Sequence, residues 1–178
     1  FLKKNTQETI RDKYKVNLFV DNRDLQGAPV IVETNPTYYN LVGRVEYETR
    51  MGMMSTDFTM IKSGALHRAN GGYLILNARD VLTNMGAWEA LKRILKTQKL
   101  FVENLSEQYG MTAIASLKPK PVPIDVKVIL IGNPYLYYLM YNHDEEFGKL
   151  FKIHADFDTQ MESNTDNIQK MAGFISST

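Results

Sequence analysis

Two short apolar runs, the second of which contains a single lysine, flank an amphipathic pattern, and this arrangement constrains the fold more than any other feature of the chain. Residues 73–76 read Tyr-Leu-Ile-Leu after a pair of glycines, and residues 126–131 form a longer run of the same kind. Apolar runs of this length are typical of strands covered on both faces, as in a parallel sheet. The order strand, helix, strand predicts an α/β fold with a mainly parallel sheet, which binds ligands at the carboxyl ends of its strands.

The remaining elements are predicted from the spacing of apolar residues and from the residues that begin and end helices and strands. Between the two runs, apolar residues recur at helical spacing, namely Met85, Trp88, Leu91, Ile94 and Leu95, and charged residues occupy the other face, namely Glu89, Lys92, Arg93 and Lys96. Residues 16–20 and 28–32 predict two strands, and residues 100–102 and 111–115 predict a hairpin. Pro134 suits a first helical turn, residues 144–151 favour a short helix, and Ser163 with Asp166 resembles a capping box before a last helix.

Composition excludes several function classes. Against 21 Lys and Arg stand 20 Asp and Glu, and a net charge of +1 provides no strong field to attract nucleic acid or anionic lipid. The absence of cysteine excludes disulfides, thiolate zinc sites and cysteine nucleophiles. No apolar run approaches the roughly 20 residues of a membrane span, so we expect no membrane partner, and the absence of cysteine fits a cytoplasmic location. Because the sequence begins with Phe1, we expect a piece of a longer protein.

Polar residues follow both apolar runs, where parallel strands would bring them to one edge of the sheet. Nucleotide hydrolases of this architecture place two carboxylates after such a strand, one for the magnesium shell and one to polarise water. Here these positions are Asn77 and Ala78, and the nearest carboxylate is Asp80, for which capping of the next helix is the favoured interpretation. Asn133 is either a turn residue before Pro134 or an amide that orients water or a γ-phosphate.

Other catalytic patterns are missing from the sequence. It has no Gly-rich loop followed by Lys and Ser or Thr, no Gly-x-Ser-x-Gly elbow and no metal-ligand spacing among its three histidines. We therefore expect no metal site, no tight ATP binding by this segment alone, and local packing or hydrogen bonding for His67. A Met-rich stretch on a Gly-containing loop either grips varied polypeptides or fills gaps in a core, and its members are Arg50, Met51, Met53 and Met54.

Several segments resemble the Lon-like family of ATP-dependent proteases, in the same order and with similar spacing. The clearest is residues 64–76, which read Gly-Ala-Leu-His-Arg-Ala-Asn-Gly-Gly-Tyr-Leu-Ile-Leu and resemble the segment around the Walker B strand of that family. The other matching segments are residues 16–22, 28–30, 35–38, 40–47, 88–93, 107–110, 124–132 and 151–158. The resemblance covers nearly the whole chain.

The resemblance implies a three-layer AAA+ sandwich of the P-loop type that is incomplete in this chain. The Walker A part would lie upstream, and the helical lid and a Ser-Lys peptidase domain would lie downstream. Residues 1–35 would end an inserted or linker region with two short strands, and residues 36–162 would form the core from Walker B to sensor one. Residues 163–178 would begin the lid.

The resemblance also implies roles for individual residues. Asn77 takes the position of the Walker B aspartate, Ala78 that of the glutamate and Asn133 that of sensor one. Lys149 is the nearest substitute for the trans-acting arginine, although a point-like ammonium does not reproduce an arginine fork. Residues 50–60 would lie near a central pore and contact unfolded substrate.

Three hypotheses follow. The preferred one is the AAA+ segment of an ATP-dependent serine protease, which would use ATP and Mg, assemble into a ring and handle unfolded or damaged proteins for a peptidase domain outside this chain. The alternative is a degenerate, non-hydrolysing scaffold for ring assembly and ATP-independent proteolysis, which Asn77 and Ala78 favour. A stand-alone ligand-binding α/β domain is a third interpretation, and it requires a gene that ends near these boundaries.

Overall fold

The computed structural model describes residues 14–50, 53–105, 117–158 and 160–177, and its helices and strands alternate along the chain. The strands are β1 (Val30–Glu33), β2 (Arg44–Val45), β3 (Glu48–Arg50), β4 (Met53–Ser55), β5 (Ile61–Lys62), β6 (Tyr73–Asn77), β7 (Lys99–Leu100), β8 (Val122–Pro123) and β9 (Lys127–Ile131). The helices are α1 (Tyr38–Val42), α2 (Ala65–Arg68), α3 (Ala78–Thr83), α4 (Ala87–Thr97), α5 (Pro134–His143), α6 (Phe147–Leu150) and α7 (Thr165–Ser177), with a 3-10 turn at Phe58–Met60. The predicted α/β class is confirmed.

A parallel sheet in the order β1, β6, β9 forms the centre of the structure. In its register, Val30 lies opposite Tyr73 on one side of β6, and Asn77 lies opposite Ile131 on the other. Helices α3 and α4 occur between β6 and β9, as a parallel connection requires. The mainly parallel sheet predicted from the two apolar runs is therefore confirmed.

The core packs on one face of β6. Leu74 and Leu76 alternate with more exposed neighbours along this strand and are fully buried. They join one hydrophobic cluster with residues of the helices, including Leu41 of α1, Leu66 of α2, and Leu91 and Ile94 of α4. Each large apolar side chain buried in this way contributes about 1.5–3 kcal/mol to folding.

Helix α4 confirms the predicted apolar stripe with two differences. It begins at Ala87, so Met85 lies before the helix and is 67% exposed. Lys92, predicted for the solvated face, is buried because its ammonium pairs with Asp144 at 2.9 Å. The pairing partner lies far along the sequence, which is why periodicity assigned Lys92 to the wrong face.

Two predicted local structures differ from those observed, and a third lies partly outside the described residues. Residues 16–20 belong to no strand, and the Asn17 side chain instead donates to the Phe58 carbonyl of the 3-10 turn and to the Ile61 carbonyl at the start of β5. Leu100 pairs with Val122, and residues 111–115, predicted to pair with it, lie outside the described ranges. Asn164, not Ser163, precedes α7 as its cap, since the Asn164 Oδ1 accepts from the Asn167 N–H at 2.9 Å.

Strand β9 is less covered than its sequence predicts. Ile129 and Ile131 are exposed, whereas a strand buried on both faces would hide them. A cavity of about 960 Å³ is lined by β9, α5 and residues 151–157, and it leaves this part of the strand without packing. None of the helices within the described ranges is long and apolar enough to cross a membrane.

We predict that Gly72→Ala breaks the junction between β1 and β6. A Cβ at Gly72 would lie 2.0 Å from the Pro29 carbonyl oxygen, which accepts the Tyr73 N–H at 2.8 Å. Since backbone atoms on both sides must shift, the free energy of unfolding measured in urea should fall by at least about 2 kcal/mol. Gly27→Ala is the matched control, because a Cβ there meets nothing within 4 Å. Equal stability of the two variants would contradict this account of the junction.

Candidate functional site

The carboxyl ends of β6 and β9 lie side by side, and an asparagine follows each strand into a helix. The Asn77 Oδ1 caps α3 by accepting the backbone N–H of Arg79 at 2.9 Å and that of Asp80 at 3.4 Å. The Asn133 Oδ1 caps α5 by accepting the Leu136 N–H at 2.8 Å. Because Asn77 is in register with Ile131, the two caps stand at one edge of the sheet. Both residues therefore terminate a strand and begin a helix.

The position of Asp80 differs from the one predicted from the sequence. Asp80 lies inside the first turn of α3, where a carboxylate favours the helix N-terminus, but the cap itself is Asn77. The predicted capping role of Asp80 is therefore wrong. Ala78 is buried, and its Cβ lies 3.3 Å from where a Cβ on Gly132 would stand. The described ranges contain no cluster of three or more histidine and acidic residues that could hold a metal ion.

The cavity beside β9 gathers part of the predicted nucleotide region. Ala78, Asn133 and Lys149 line it, while Asn77 and Asp80 do not. Lys149 reaches the cavity from α6, which is held in place by the buried ring of Phe147. An ammonium and an amide thus line the same cavity. Their role toward nucleotide stays a prediction.

A charged network that the sequence did not reveal anchors the turn before α6. Asp144 accepts hydrogen bonds from the Lys92 ammonium at 2.9 Å and from the Trp88 indole N–H at 2.8 Å. Burial alone would raise the pKa of Asp144, but these hydrogen bonds outweigh it and hold the pKa below its usual value. Burial likewise disfavours the Lys92 ammonium, yet its bonds to Asp144 and Glu89 raise its pKa. The network therefore joins α4 to the segment that carries Lys149.

The Met-rich stretch forms an antiparallel hairpin away from the three-stranded sheet. Its strands β3 and β4 pair Glu48 with Ser55, Thr49 with Met54, and Arg50 with Met53. Met54 is 56% exposed, so the gap-filling interpretation is wrong for this residue. Met51 lies outside the described residues. The hairpin and the strand-end edge are two separate candidate sites.

His67 has a local structural role, as predicted. Its Nδ1 accepts the Gly64 N–H at 3.2 Å, which fixes the proton of the neutral ring on Nε2. The imidazole is buried, and the Phe19 ring packs edge-on against it with ring centroids 4.6 Å apart. Burial lowers the pKa of His67 from 6.5 to about 4. The histidine is therefore neutral at physiological pH.

Comparison with known proteins settles the family. The family model described as "LonB-like, AAA domain" matches residues 26–158, which is most of the chain. The chain belongs to the LonB-like AAA domain family. The resemblance found in the sequence is thereby confirmed.

Two relatives illustrate how much of a longer protein this LonB-like AAA segment matches. The archaeal Lon protease of Archaeoglobus fulgidus is 26% identical over 168 residues, which are 92% of this chain and 26% of that protein. The putative Lon protease homolog of Haemophilus influenzae is 34% identical over 87 residues, 47% of this chain and 13% of its own length. The crystal structure of NtrX from Brucella abortus aligns with 71% of this chain and 26% of its own, at 20% identity and a TM-score of 0.47. The LonB-like chain thus spans about a quarter or less of these relatives.

We predict that Asn77 stabilises the LonB-like AAA segment through its cap. Asn77→Ala removes the acceptor for two helical N–H groups and should lower the free energy of unfolding by about 1 kcal/mol. Asn77→Asp keeps an acceptor at the helix N-terminus and should match the unchanged protein or exceed it slightly. Urea unfolding checks both variants. A loss in the Asp variant as large as that in the Ala variant would contradict the capping role.

We also predict a pH dependence that originates from His67. Its folded pKa of about 4 lies below the unfolded value of 6.5, so the unfolded chain binds more protons between these values. Stability is therefore highest above about pH 6.5 and falls as the pH drops, by about 2.5 kcal/mol between pH 7.5 and 4.5 from this group alone. Urea unfolding of the wild type and of His67→Gln at both pH values measures the contribution. Identical pH profiles would assign the dependence to other groups.

Proposed function

We propose that this chain is the substrate-handling AAA segment of a Lon-like ATP-dependent protease whose Ser-Lys peptidase domain lies elsewhere in the protein. The substrates are unfolded or damaged proteins. The observation that carries the proposal is the β3–β4 hairpin, which presents Met54 to solvent away from the sheet. A flexible thioether side chain adapts to many apolar sequences, as a protein that handles varied unfolded chains requires.

The residues on either side of the hairpin are joined by strand pairing and hydrogen bonds, which makes the hairpin suitable for repeated contact with a polypeptide. Strands β2 and β5 pair directly below it, with Val45 opposite Ile61. Above this pair, the Glu46 N–H donates to the Met60 carbonyl at 2.9 Å, and the Thr56 hydroxyl donates to the Glu46 carbonyl at 2.7 Å. A base held by these hydrogen bonds can transmit a displacement of the domain, through β4 and its exposed Met54, to a bound chain.

The strand-end residues fit the phosphate of a nucleotide better than they fit a magnesium ion. Asn77 and Asn133 use their amide oxygens as helix caps, which leaves amide N–H groups, and Lys149 adds an ammonium. These groups donate to an anion, whereas magnesium prefers carboxylate and water oxygens. Asp80, in the first turn of α3, is the one carboxylate among the residues predicted for this region, so the set fits the metal poorly and no step in this proposal depends on it.

A second candidate function is a non-hydrolysing scaffold that supports ATP-independent proteolysis. Ala78 favours it, because a buried methyl group stands where the resemblance places the general base. The capping use of both asparagines is a further argument, since each has a structural role independent of nucleotide. In either version we propose self-association into a ring and a cytoplasmic location.

One experiment separates these possibilities and tests the role of the hairpin. We expect Met54→Ser in the full-length protein to raise the KM for cleavage of a carboxymethylated, unfolded protein about tenfold, because an apolar contact worth about 1.5 kcal/mol or more is lost. Met85→Ser is the matched control, since Met85 is also exposed but lies before α4. Cleavage is measured with and without ATP, together with ATP turnover.

The ATP-driven motor and the non-hydrolysing scaffold predict different outcomes. ATP turnover with cleavage that requires ATP supports the motor, and equal cleavage without turnover supports the scaffold. An unchanged KM in Met54→Ser, or an equal rise in Met85→Ser, rules out the hairpin as the substrate contact.

A further inference from the structure

The segment before β1 runs along the outside of the hairpin base. Residues 14–20, here called the strap, belong to no helix or strand, and burial alternates along residues 16–19. Val16 and Leu18 point outward and are 87% and 69% exposed, while Asn17 and Phe19 are partly buried. The alternation shows that one side of the strap faces the domain although no strand pairs with it.

Asn17 fastens the strap to the turn below the hairpin. Its Nδ2 donates to the Phe58 carbonyl at 2.9 Å and to the Ile61 carbonyl at 3.0 Å. These two carbonyls bracket the 3-10 turn, so a single amide group fixes both ends of it. A carboxamide nitrogen has two hydrogens, and this geometry uses both.

The turn fixed by Asn17 is part of the base of the hairpin. It lies between β4 and β5, and the Met60 carbonyl within it accepts the Glu46 N–H just before β3. A shift of the turn therefore moves both strands of the hairpin.

A second contact joins the strap to α2. The Phe19 ring packs edge-on against His67, whose Nδ1 accepts the Gly64 N–H at the start of α2. The strap thus meets the hairpin loop near its base and again where the chain enters the helix. Two anchors of different chemistry give the strap a defined position.

We propose that Asn17 is a positioning residue for substrate handling: through its two hydrogen bonds, the strap sets the orientation of the β3–β4 hairpin. This inference rests on the proposed function of the hairpin. Displacement of the chain on the N-terminal side of the strap would then change how Met54 is presented. Neither Asn17 nor the strap touches substrate in this proposal.

The requirement for asparagine is specific. Aspartate has the same shape but offers only acceptors to two carbonyl oxygens, and alanine offers nothing. Asn17→Asp therefore removes both hydrogen bonds with little change in volume. Leu18→Asn is the matched control, because it places an amide on the outward side of the same strap.

The test is amide hydrogen exchange in the full-length protein, read in peptides that cover β3, β4 and the 3-10 turn. We expect exchange there to be about tenfold faster in Asn17→Asp and in Asn17→Ala, and unchanged in Leu18→Asn. Exchange in β6 should stay the same in all three variants. Hairpin exchange within about twofold of wild type in Asn17→Asp, or an equal acceleration in β6, would overturn the inference.

A kinetic readout separates positioning from general stability. Asn17→Asp should raise the KM for the carboxymethylated protein and leave kcat for a short peptide, which needs no hairpin, unchanged. A fall in kcat for both substrates with no change in KM would also overturn the inference. If Met54→Ser leaves the KM unchanged while Asn17→Asp still loosens the hairpin, the proposed function fails and the structural coupling stands.

Discussion

Pairing of β6 with a parallel strand on each edge sets the positions of the other elements that the structure describes. In a strand, a slip of one residue would move Leu74 and Leu76 from the core to the open face, so burial specifies the register strongly. The same register brings the end of β6 beside the end of β9 and so places Asn77 and Asn133 on one edge. Close contact of Gly72 with Pro29 fixes the other end of the strand.

Features with a local cause could be predicted from the sequence. The apolar run ending at Leu76 predicted a strand of the parallel sheet, and the apolar stripe of α4 predicted the helix. Both are visible in the sequence because buried positions are occupied by apolar residues in a local pattern. Features that depend on distant partners could not be predicted. Lys92 is buried because it pairs with Asp144, which lies 52 residues further along the chain. Asn17 donates to backbone carbonyls that lie more than 40 residues further along the chain. A side chain that bonds to backbone carbonyls leaves no pattern in its partner's sequence.

The sequence predicted that Asn77 and Asn133 lie at the ends of neighbouring strands, and their functional role stays a prediction. Asparagine after a strand suits both a helix cap and a polar catalytic position, and a sequence does not distinguish them. The structure shows the caps directly and assigns this role to Asn77 rather than Asp80. It also shows that the strand-end edge and the hairpin are formed by different elements.

The partly open strand β9 has a consequence for the behaviour of the domain in solution. In the described part of the chain it lies at the end of the sheet, and its outer row of N–H and C=O groups has no strand partner. Ile129 and Ile131 are exposed beside that row, and Lys127 is the strand's one charged residue. Edges of this kind are templates for pairing between molecules. Produced by itself, the domain is therefore expected to aggregate edge to edge, and concealing this strand is a condition for its solubility.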